Sequence, residues 1–290
     1  EIVSRDWSSD VCSSDLQPSS RQVLDKLAEF LLSEGCEVAF EKETSANAGL
    51  QGYAALDVGQ IGRDCDLAIV VGGDGTMLGV ARQLARYKVP IIGINQGRLG
   101  FMTDIPIGRM LPALAEILSG KARAEERTLL EARLLRDGKE IHCSVAVNDV
   151  VVSRGSGAGM AELKVTVDGT FMYNQRSDGL IVATPTGSTA YALSAGGPIV
   201  HPALRVISLV PVSPHTLSNR PVVVGSDSVI EIIMRSDSDA RVHFDSHSHY
   251  VLSEGDRILI KRYPHTISLL HPVGHSYYRM LREKLNWNRE

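Results

Sequence analysis

The residues best suited to chemistry are Gly72-Gly73-Asp74-Gly75-Thr76, which follow the apolar run Leu67-Ala68-Ile69-Val70-Val71. That run reads as a buried strand of a parallel sheet. From Met77 to Tyr87 apolar residues recur at helical spacing, with Thr76 or Asp74 available as the N-cap. The glycines therefore stand between a strand end and a helix start, where open α/β sheets bind their ligands. Glycine lets backbone N–H groups approach a phosphate closely, and the helix N-terminus favours its negative charge. Gly72, Gly73, Gly75 and Thr76 are read as that phosphate loop. A loop that only cradled phosphate would carry a Lys, as the P-loop does, and this one has none. Asp74 in the middle suggests a base for a substrate hydroxyl, or help with a metal ion. The pattern points to phosphoryl transfer to an alcohol.

Further polar clusters stand at strand ends. Asn95-Gln96-Gly97-Arg98-Leu99-Gly100-Phe101 follows an apolar strand and reads as an ordinary turn or as part of a site. Asn148-Asp149 lies inside the apolar run 145–152, where polar groups need partners. A backbone bulge or a ligand would satisfy them. Arg176-Ser177-Asp178-Gly179 precedes Thr184-Pro185-Thr186-Gly187-Ser188-Thr189-Ala190-Tyr191, in which a turn feeds a hydroxyl-rich helix start capped by Ser188 or Thr189. Such a start suits an anion or a ribose, and Tyr191 adds a stacking face. His243, Asp245, His247 and His249 alternate along what reads as one strand, all on one face. Strand spacing of two fits few metal sites, so this face is read as solvated or as contacting a ligand, with no fixed metal ligands.

These clusters need a scaffold, and the apolar pattern supplies one. Residues 22–33 form an amphipathic helix closing at Gly35, 36–40 a strand, and 41–63 a mostly irregular stretch. Strands at 66–71 and 89–94 flank the helix at 77–87, and a helix at 109–118 stops at Gly120. This alternation is the doubly wound signature of a Rossmann-like α/β domain over residues 17–125. From residue 126 to 272 the period becomes two. Strands are expected at 129–135, 141–152, 163–167, 171–176, 179–183, 206–210, 222–224, 229–234, 241–244, 257–261 and 267–270, with turns at Asp137-Gly138 and Asp168-Gly169. Only 188–195 interrupts this β-rich domain, as a helix. A last amphipathic helix at 277–285, within the segment 273–290, returns to the α/β domain.

The chain has 290 residues, 43% of them hydrophobic, enough for two modest domains. Its net charge is −4 with scattered basic residues, which proposes neither nucleic acid nor a membrane surface as partner. Cys12, Cys36, Cys65 and Cys143 show no metal-ligand spacing, so the protein reads as reduced and cytoplasmic. Residues 5–16, RDWSSDVCSSDL, have neither helix nor strand period and resemble a translated sequencing-adapter oligonucleotide. Residues 1–16 are therefore set aside as a non-native tail. On that reading the strand that should precede the first helix is missing.

Taken together, the Gly72–Thr76 loop, Asn148-Asp149, Arg176-Ser177-Asp178-Gly179 and the Thr184–Tyr191 motif resemble bacterial NAD kinases, over residues 22–287. The loop alone is shared with diacylglycerol kinases and 6-phosphofructokinases; the combination is much more specific. The resemblance implies an NAD kinase/diacylglycerol kinase-like fold of two domains, assembled as a homodimer or homotetramer with sites near the subunit contact. It implies transfer of the γ-phosphoryl of ATP, with Mg2+ or another divalent cation, to the adenosine 2′-hydroxyl of NAD. Asp74 would be the general base, and Gly75 would contact the dinucleotide. Asn148 and Asp149 would bind ribose and adenine, although the family more often has Glu at the second place. Arg176 and Asp178 would line the dinucleotide site. Thr189, Ala190, Tyr191, Ala192, Leu193 and Ser194 would wrap the nucleotide, Phe101 would pack at the adenine end, and His247 would contact the dinucleotide. A non-catalytic dinucleotide-binding regulator and a diacylglycerol-kinase-like lipid kinase are the rival readings. A regulator needs no base, and a lipid kinase should carry an interfacial apolar helix, which this sequence lacks.

Overall fold

The computed structural model describes residues 2–3, 18–97, 100–155, 159–216, 218–236 and 239–287. The chain forms two compact units, Glu1–Glu126 with Ile267–Glu290, and Arg127–Thr266.

In the first unit, β1 (Ile2–Val3), β2 (Ala39–Glu41), β3 (Ala54–Leu56), β4 (Ala68–Gly72) and β5 (Ile91–Asn95) lie parallel in the order β5-β4-β1-β2-β3. The two-residue β6 (Ile105–Pro106) adds beside β5. Helices α1 (Pro18–Ser33), α2 (Lys42–Ala48), α3 (Val58–Asp64), α4 (Asp74–Leu84) and α5 (Met110–Leu118) complete it. Leu24, Leu27, Ala28 and Leu31 share one stripe of α1 and are buried against Ile69, Val71, Ile92 and Ile94, together with Leu114 and Ile117 of α5. Each such aliphatic side chain contributes about 1.5–3 kcal/mol by leaving water. Every residue of β4 and β5 is buried, as a covered parallel sheet requires.

Three expectations need correction here. The first strand is not missing: Ile2–Val3 pairs with Ile69 and Val70 of β4 and with Phe40 of β2. Two residues are too few to show a period, so the pattern could not reveal them. Residues 1 and 4–16 of the adapter-like tail lie outside the described residues. The stretch 41–63 is not irregular either, since it holds α2, β3 and α3. Glu41 caps α2 by accepting the Thr44 N–H at 2.9 Å, and Asp57 and Gln60 form a reciprocal capping box on α3. Seven-residue helices span only two turns, too short for a hydrophobic stripe to declare itself. Finally, neither Asp74 nor Thr76 caps α4; Gly73 is the N-cap, with no side-chain bond, and Asp74 is the first helical residue.

β7 (Ala122–Arg136) leads into the second unit, which continues through β8 (Lys139–Ala146), β9 (Asp149–Ser153), β10 (Ala161–Val167), β11 (Thr170–Ser177), β12 (Gly179–Ala183), the helical turn α6 (Tyr191–Ser194), β13 (Val206–Val212), β14 (Val222–Gly225), β15 (Ile230–Met234), β16 (Arg241–Phe244) and β17 (Ser248–Val251). β18 (Arg257–Pro272) leads back to the first unit, where α7 (Tyr277–Leu285) closes the fold. One layer runs β11-β10-β15-β18 with the β7–β8 hairpin beside β18, and the other runs β14-β13-β12-β9-β16-β17. Leu163, Val165, Ile232 and Ile260 of the first layer share one core with Val150, Val152, Leu180, Leu209 and Phe244 of the second. The other face of β9 and β12 buries Val151, Ile181 and Ala183 beneath Ala192. Asp137-Gly138 and Asp168-Gly169 have positive φ at both residues, as type I′ hairpin turns demand.

The second unit differs from expectation at four places. The run 141–152 is two strands, broken at Val147 and Asn148. The strands at 257–261 and 267–270 are one, β18, which runs on through Pro264 although proline has no N–H to give to a ladder. The helix at 188–195 is a 3-10 turn, Thr186–Thr189, followed by α6, and the backbone of Ala190 (φ −99, ψ −130) interrupts them. The His243–His249 row is a hairpin rather than a strand face. Asp245 and Ser246 take positive φ (51° and 56°), reversing the chain so that His243 faces His249 across β16 and β17.

Candidate active site

In the first unit the glycine-rich turn ends β4 and opens α4. The first ladder bond runs from the Met77 N–H to the Gly73 carbonyl at 3.1 Å, so the N–H groups of Asp74, Gly75 and Thr76 precede the ladder. Gly73 and Gly75 are exposed, while Gly72 and Thr76 are buried. An eleven-residue helix with an exposed start is suited to an anion.

The carboxylate of Asp74 is held by the turn that follows β5. Its Oδ2 accepts the Phe101 N–H at 2.7 Å. Its Oδ1 accepts the Met102 N–H at 2.9 Å, and the Thr103 N–H and hydroxyl at 3.2 Å each. Asn95, paired with Gly72 in the sheet, donates its Nδ2 to the Thr103 hydroxyl at 2.9 Å. The cluster 95–101 is thus more than a connection, because its end orients the acid. Gly100 is required for this: a Cβ there would come within 2.1 Å of Asp74 Oδ1. Arg98 and Leu99 lie outside the described residues. Phe101 is half-buried, with the Lys284 ammonium of α7 5.3 Å from its ring centroid.

In the second unit the break between β8 and β9 is closed by two side chains. Asp245 accepts the N–H groups of Val147, Asn148 and Asp149 at 2.8, 2.7 and 3.1 Å. Thr184 donates its hydroxyl to the Val147 carbonyl at 2.6 Å and its N–H to the Asn148 carbonyl at 2.8 Å. The backbone is therefore satisfied without the side chains of Asn148 and Asp149. Asn148 is half-buried and Asp149 is buried at 3% exposure. Burial, and then the nearby Asp245 carboxylate, push the Asp149 carboxyl up to about 7. Gly187 allows the 3-10 turn to touch this break, since a Cβ there would meet the Asn148 carbonyl at 2.1 Å.

Ser188 does not cap a helix; its hydroxyl donates to the Pro185 carbonyl at 2.6 Å and accepts the Val200 N–H at 2.9 Å. The Thr189 hydroxyl bonds the Thr186 carbonyl. Thr189, Ala190 and Leu193 are half-buried, Tyr191 and Ser194 exposed, and Ala192 buried in the apolar cluster. Arg127, which the sequence did not single out, is 2% exposed and donates to the Thr186 hydroxyl at 3.2 Å.

The remaining residues sit apart. Arg176 pairs with Glu162 at 3.0 Å and Asp178 with Arg154 at 2.7 Å, both partly exposed. They precede Gly179 at one end of β12, whereas Asp149 faces Ala183 at the other. Four strand steps separate these ends, about 13 Å. His247 is exposed in the β16–β17 turn. His243 and His249 rings lie 5.6 Å apart, and burial, then His249, push the His243 pKa down.

An open parallel sheet with an acid in its glycine-rich turn, joined to an antiparallel sandwich with a polar break, defines a two-unit nucleotide phosphotransferase. Residues 11–122 match the model of the ATP-NAD kinase N-terminal domain, and residues 147–271 that of the ATP-NAD kinase C-terminal domain. The chain belongs to the ATP-NAD kinase family. It is 55% identical over 271 residues to an NAD kinase of Paraburkholderia phymatum, covering 93% of this chain and 90% of that one. Identity to an NAD kinase of Paracidovorax citrulli is 53% over 276 residues, covering 95% and 93%. A yeast NADH kinase complexed with NADH superposes with a TM-score of 0.89 at 25% identity, covering 100% of this chain and 88% of that one. An Archaeoglobus fulgidus NAD kinase in complex with ATP gives 0.72 at 26%, covering 98% and 97%. Among the described residues no helix is long and apolar enough to cross a membrane.

Proposed function

We propose that this chain transfers the γ-phosphoryl of ATP to the adenosine 2′-hydroxyl of NAD, giving NADP, with Asp74 as the general base. The observation that carries the assignment is the uneven loading of the Asp74 carboxylate. Oδ1 accepts three hydrogen bonds, while Oδ2 accepts one, from Phe101. A carboxylate oxygen has two lone pairs, so Oδ2 keeps one free for a hydroxyl proton. A ribose hydroxyl is a weak nucleophile at neutral pH, and a positioned base contributes about 10²–10⁴-fold by accepting its proton.

The exposed start of α4 supplies the complementary part. The N–H groups of residues 74–76 and the helix dipole meet the phosphates of ATP, which arrives with Mg2+ as part of the substrate. Asn148 and Asp149 anchor the NAD ribose and adenine, with Phe101 at the adenine end and Thr189 to Ser194, above all exposed Tyr191, around the nucleotide. His247 contacts the dinucleotide from its turn. Arg176 and Asp178 stand a strand length from Asn148, which suits a homodimer or homotetramer in which they serve a neighbouring copy's site. The setting is cytoplasmic.

The test is NADP formation from NAD with Mg-ATP, comparing wild type with Asp74→Asn. Product from the wild type alone, with NAD binding retained in the variant, supports the base. A folded wild type that binds NAD without turnover would favour the non-catalytic regulator. Wild-type turnover in Asp74→Asn would remove Asp74 from the role.

A further inference from the structure

We propose that Asp104, His271 and His275 form a binding site for a divalent transition-metal ion of the zinc class, separate from the Mg2+ that accompanies ATP. The three residues converge from distant parts of the first unit: Asp104 just ahead of β6, His271 near the end of β18, and His275 just before α7. His271 Nδ1 lies 3.0 Å, and His275 Nδ1 2.6 Å, from the same oxygen, Asp104 Oδ2. The two imidazoles are stacked, with centroids 3.9 Å apart and planes 16° from parallel, and both present Nδ1 to that oxygen. One donor atom from each residue falls within 4.8 Å of the others.

Burial makes this arrangement costly as it stands. The side chains are 1% (His271), 4% (His275) and 10% (Asp104) exposed. Asp104 Oδ1, His271 Nε2 and His275 Nε2 are buried without a hydrogen-bond partner. If both rings are neutral, Asp104 Oδ2 takes two N–H bonds and two bare ring nitrogens are left buried. If both are protonated, two cations stack face to face over one carboxylate. Each state leaves a deficit of the kind that natural interiors avoid. A divalent cation removes the charge part of the conflict: it balances the carboxylate and takes both Nδ1 lone pairs, while the ring protons move to Nε2.

The donor set also selects the ion. Two imidazoles and a carboxylate suit zinc, cobalt, nickel or ferrous iron, whereas Mg2+ and Ca2+ prefer oxygen throughout. Ligands about 2.0–2.2 Å from zinc stand about 3.3–3.6 Å from one another in a tetrahedron, so both nitrogens must draw back from Asp104 Oδ2 and the stacked rings must splay to admit the ion. A groove of about 710 Å³, lined by Asp104 and His275 among others, gives an entry path and room for a water ligand. Asp104 directly follows Thr103, which holds Asp74, so an ion here would tie the base's supporting turn to the start of α7.

The full chain, stripped with chelator, should be titrated with Zn2+ by calorimetry and with Co2+ by visible absorption, in the presence of excess Mg2+. The expected result is one ion per chain, unaffected by Mg2+, with ligand-field bands for Co2+. His271→Asn and His275→Asn should each weaken binding by more than the roughly 10–100-fold that loss of an outer partner costs. His243→Asn, at the other histidine pair, should leave it unchanged. A wild type that takes up no stoichiometric ion overturns the site whatever the variants do. So does binding that survives both asparagine substitutions, or that His243→Asn abolishes.

Discussion

Asp74 Oδ2 and the Phe101 N–H meet at 2.7 Å, joining the first residue of α4 to the turn that leaves the neighbouring strand. On the proposed function one carboxylate is both the base and the anchor of a turn. The two duties are separable, because a base needs charge and a free lone pair whereas an anchor needs only acceptors.

Asp74→Asn keeps one carbonyl oxygen and turns an amide NH2 toward the donors of residues 101–103. NADP formation should fall by about 10²–10⁴-fold. Urea unfolding should show a loss of about 1–3 kcal/mol for the donors left unmatched. Equal losses in binding and in turnover would mean that anchoring, not base catalysis, is the main role.

Gly100→Ala separates the duties from the other side. The added methyl would sit 2.1 Å from Asp74 Oδ1, so the turn and the carboxylate must part. The expected outcome is a folded protein by circular dichroism with kcat reduced at least about tenfold and KM for ATP little changed. Unaltered kcat would show that the carboxylate does not depend on this turn.

Asp149 should make the ligand-free protein sensitive to pH. Its folded pKa of about 7 lies above the ordinary 3.8, so the native state holds the extra proton between those values. The stability it contributes is complete below the ordinary value and is lost as pH rises through about 7, at up to about 1.4 kcal/mol per pH unit. Asp149→Asn removes this slope, and its Tm should exceed that of the wild type by clearly more at pH 8 than at pH 4. Parallel curves for the two proteins would contradict the burial argument.

Asp245→Ala leaves the N–H groups of Val147, Asn148 and Asp149 without their acceptor. A loss of at least about 2 kcal/mol in denaturant unfolding is expected. The Asp149 titration should also move down, because its carboxylate neighbour has gone. A stable variant would mean that water replaces the carboxylate at no cost.

Arg176 and Asp178 precede the start of β12, and the Asn148–Thr184 corner lies beyond its other end, about 13 Å along the strand. If they serve a neighbouring copy, mixing and refolding two inactive variants, Asp74→Asn and Asp178→Ala, should restore part of the turnover. No recovery in verified mixed oligomers would place both residues in one copy's site, or Asp178 outside it.

The motifs were legible because each sits where an apolar period stops, so β4, β12 and the I′ turns could be read directly. Asp74 was visible for its chemistry, yet its partners are backbone N–H groups, which no residue type advertises. Asp245 drew notice only as one of a row with three histidines. Its actual work, capping the 147–149 break, depends on positive φ at residues 245 and 246, which reverses the chain. Arg127, Asp104, His271 and His275 carry no local signal: Thr186, to which Arg127 donates, is 59 residues away, and Asp104 is 167 and 171 residues from the two histidines. The capping box at Asp57 and Gln60 could have been read, and with it the second short helix of 41–63.

β18 has a bearing on how the molecule is made. Its far end pairs Leu269 with Ile91, and the α7 that follows sets Lys284 over Phe101, yet both arrive only after the whole of Arg127–Thr266. A nascent chain can therefore close its sandwich while the unit that carries Asp74 still lacks an edge strand and a helix. The unit that carries Asp74, begun before the sandwich, is finished after it.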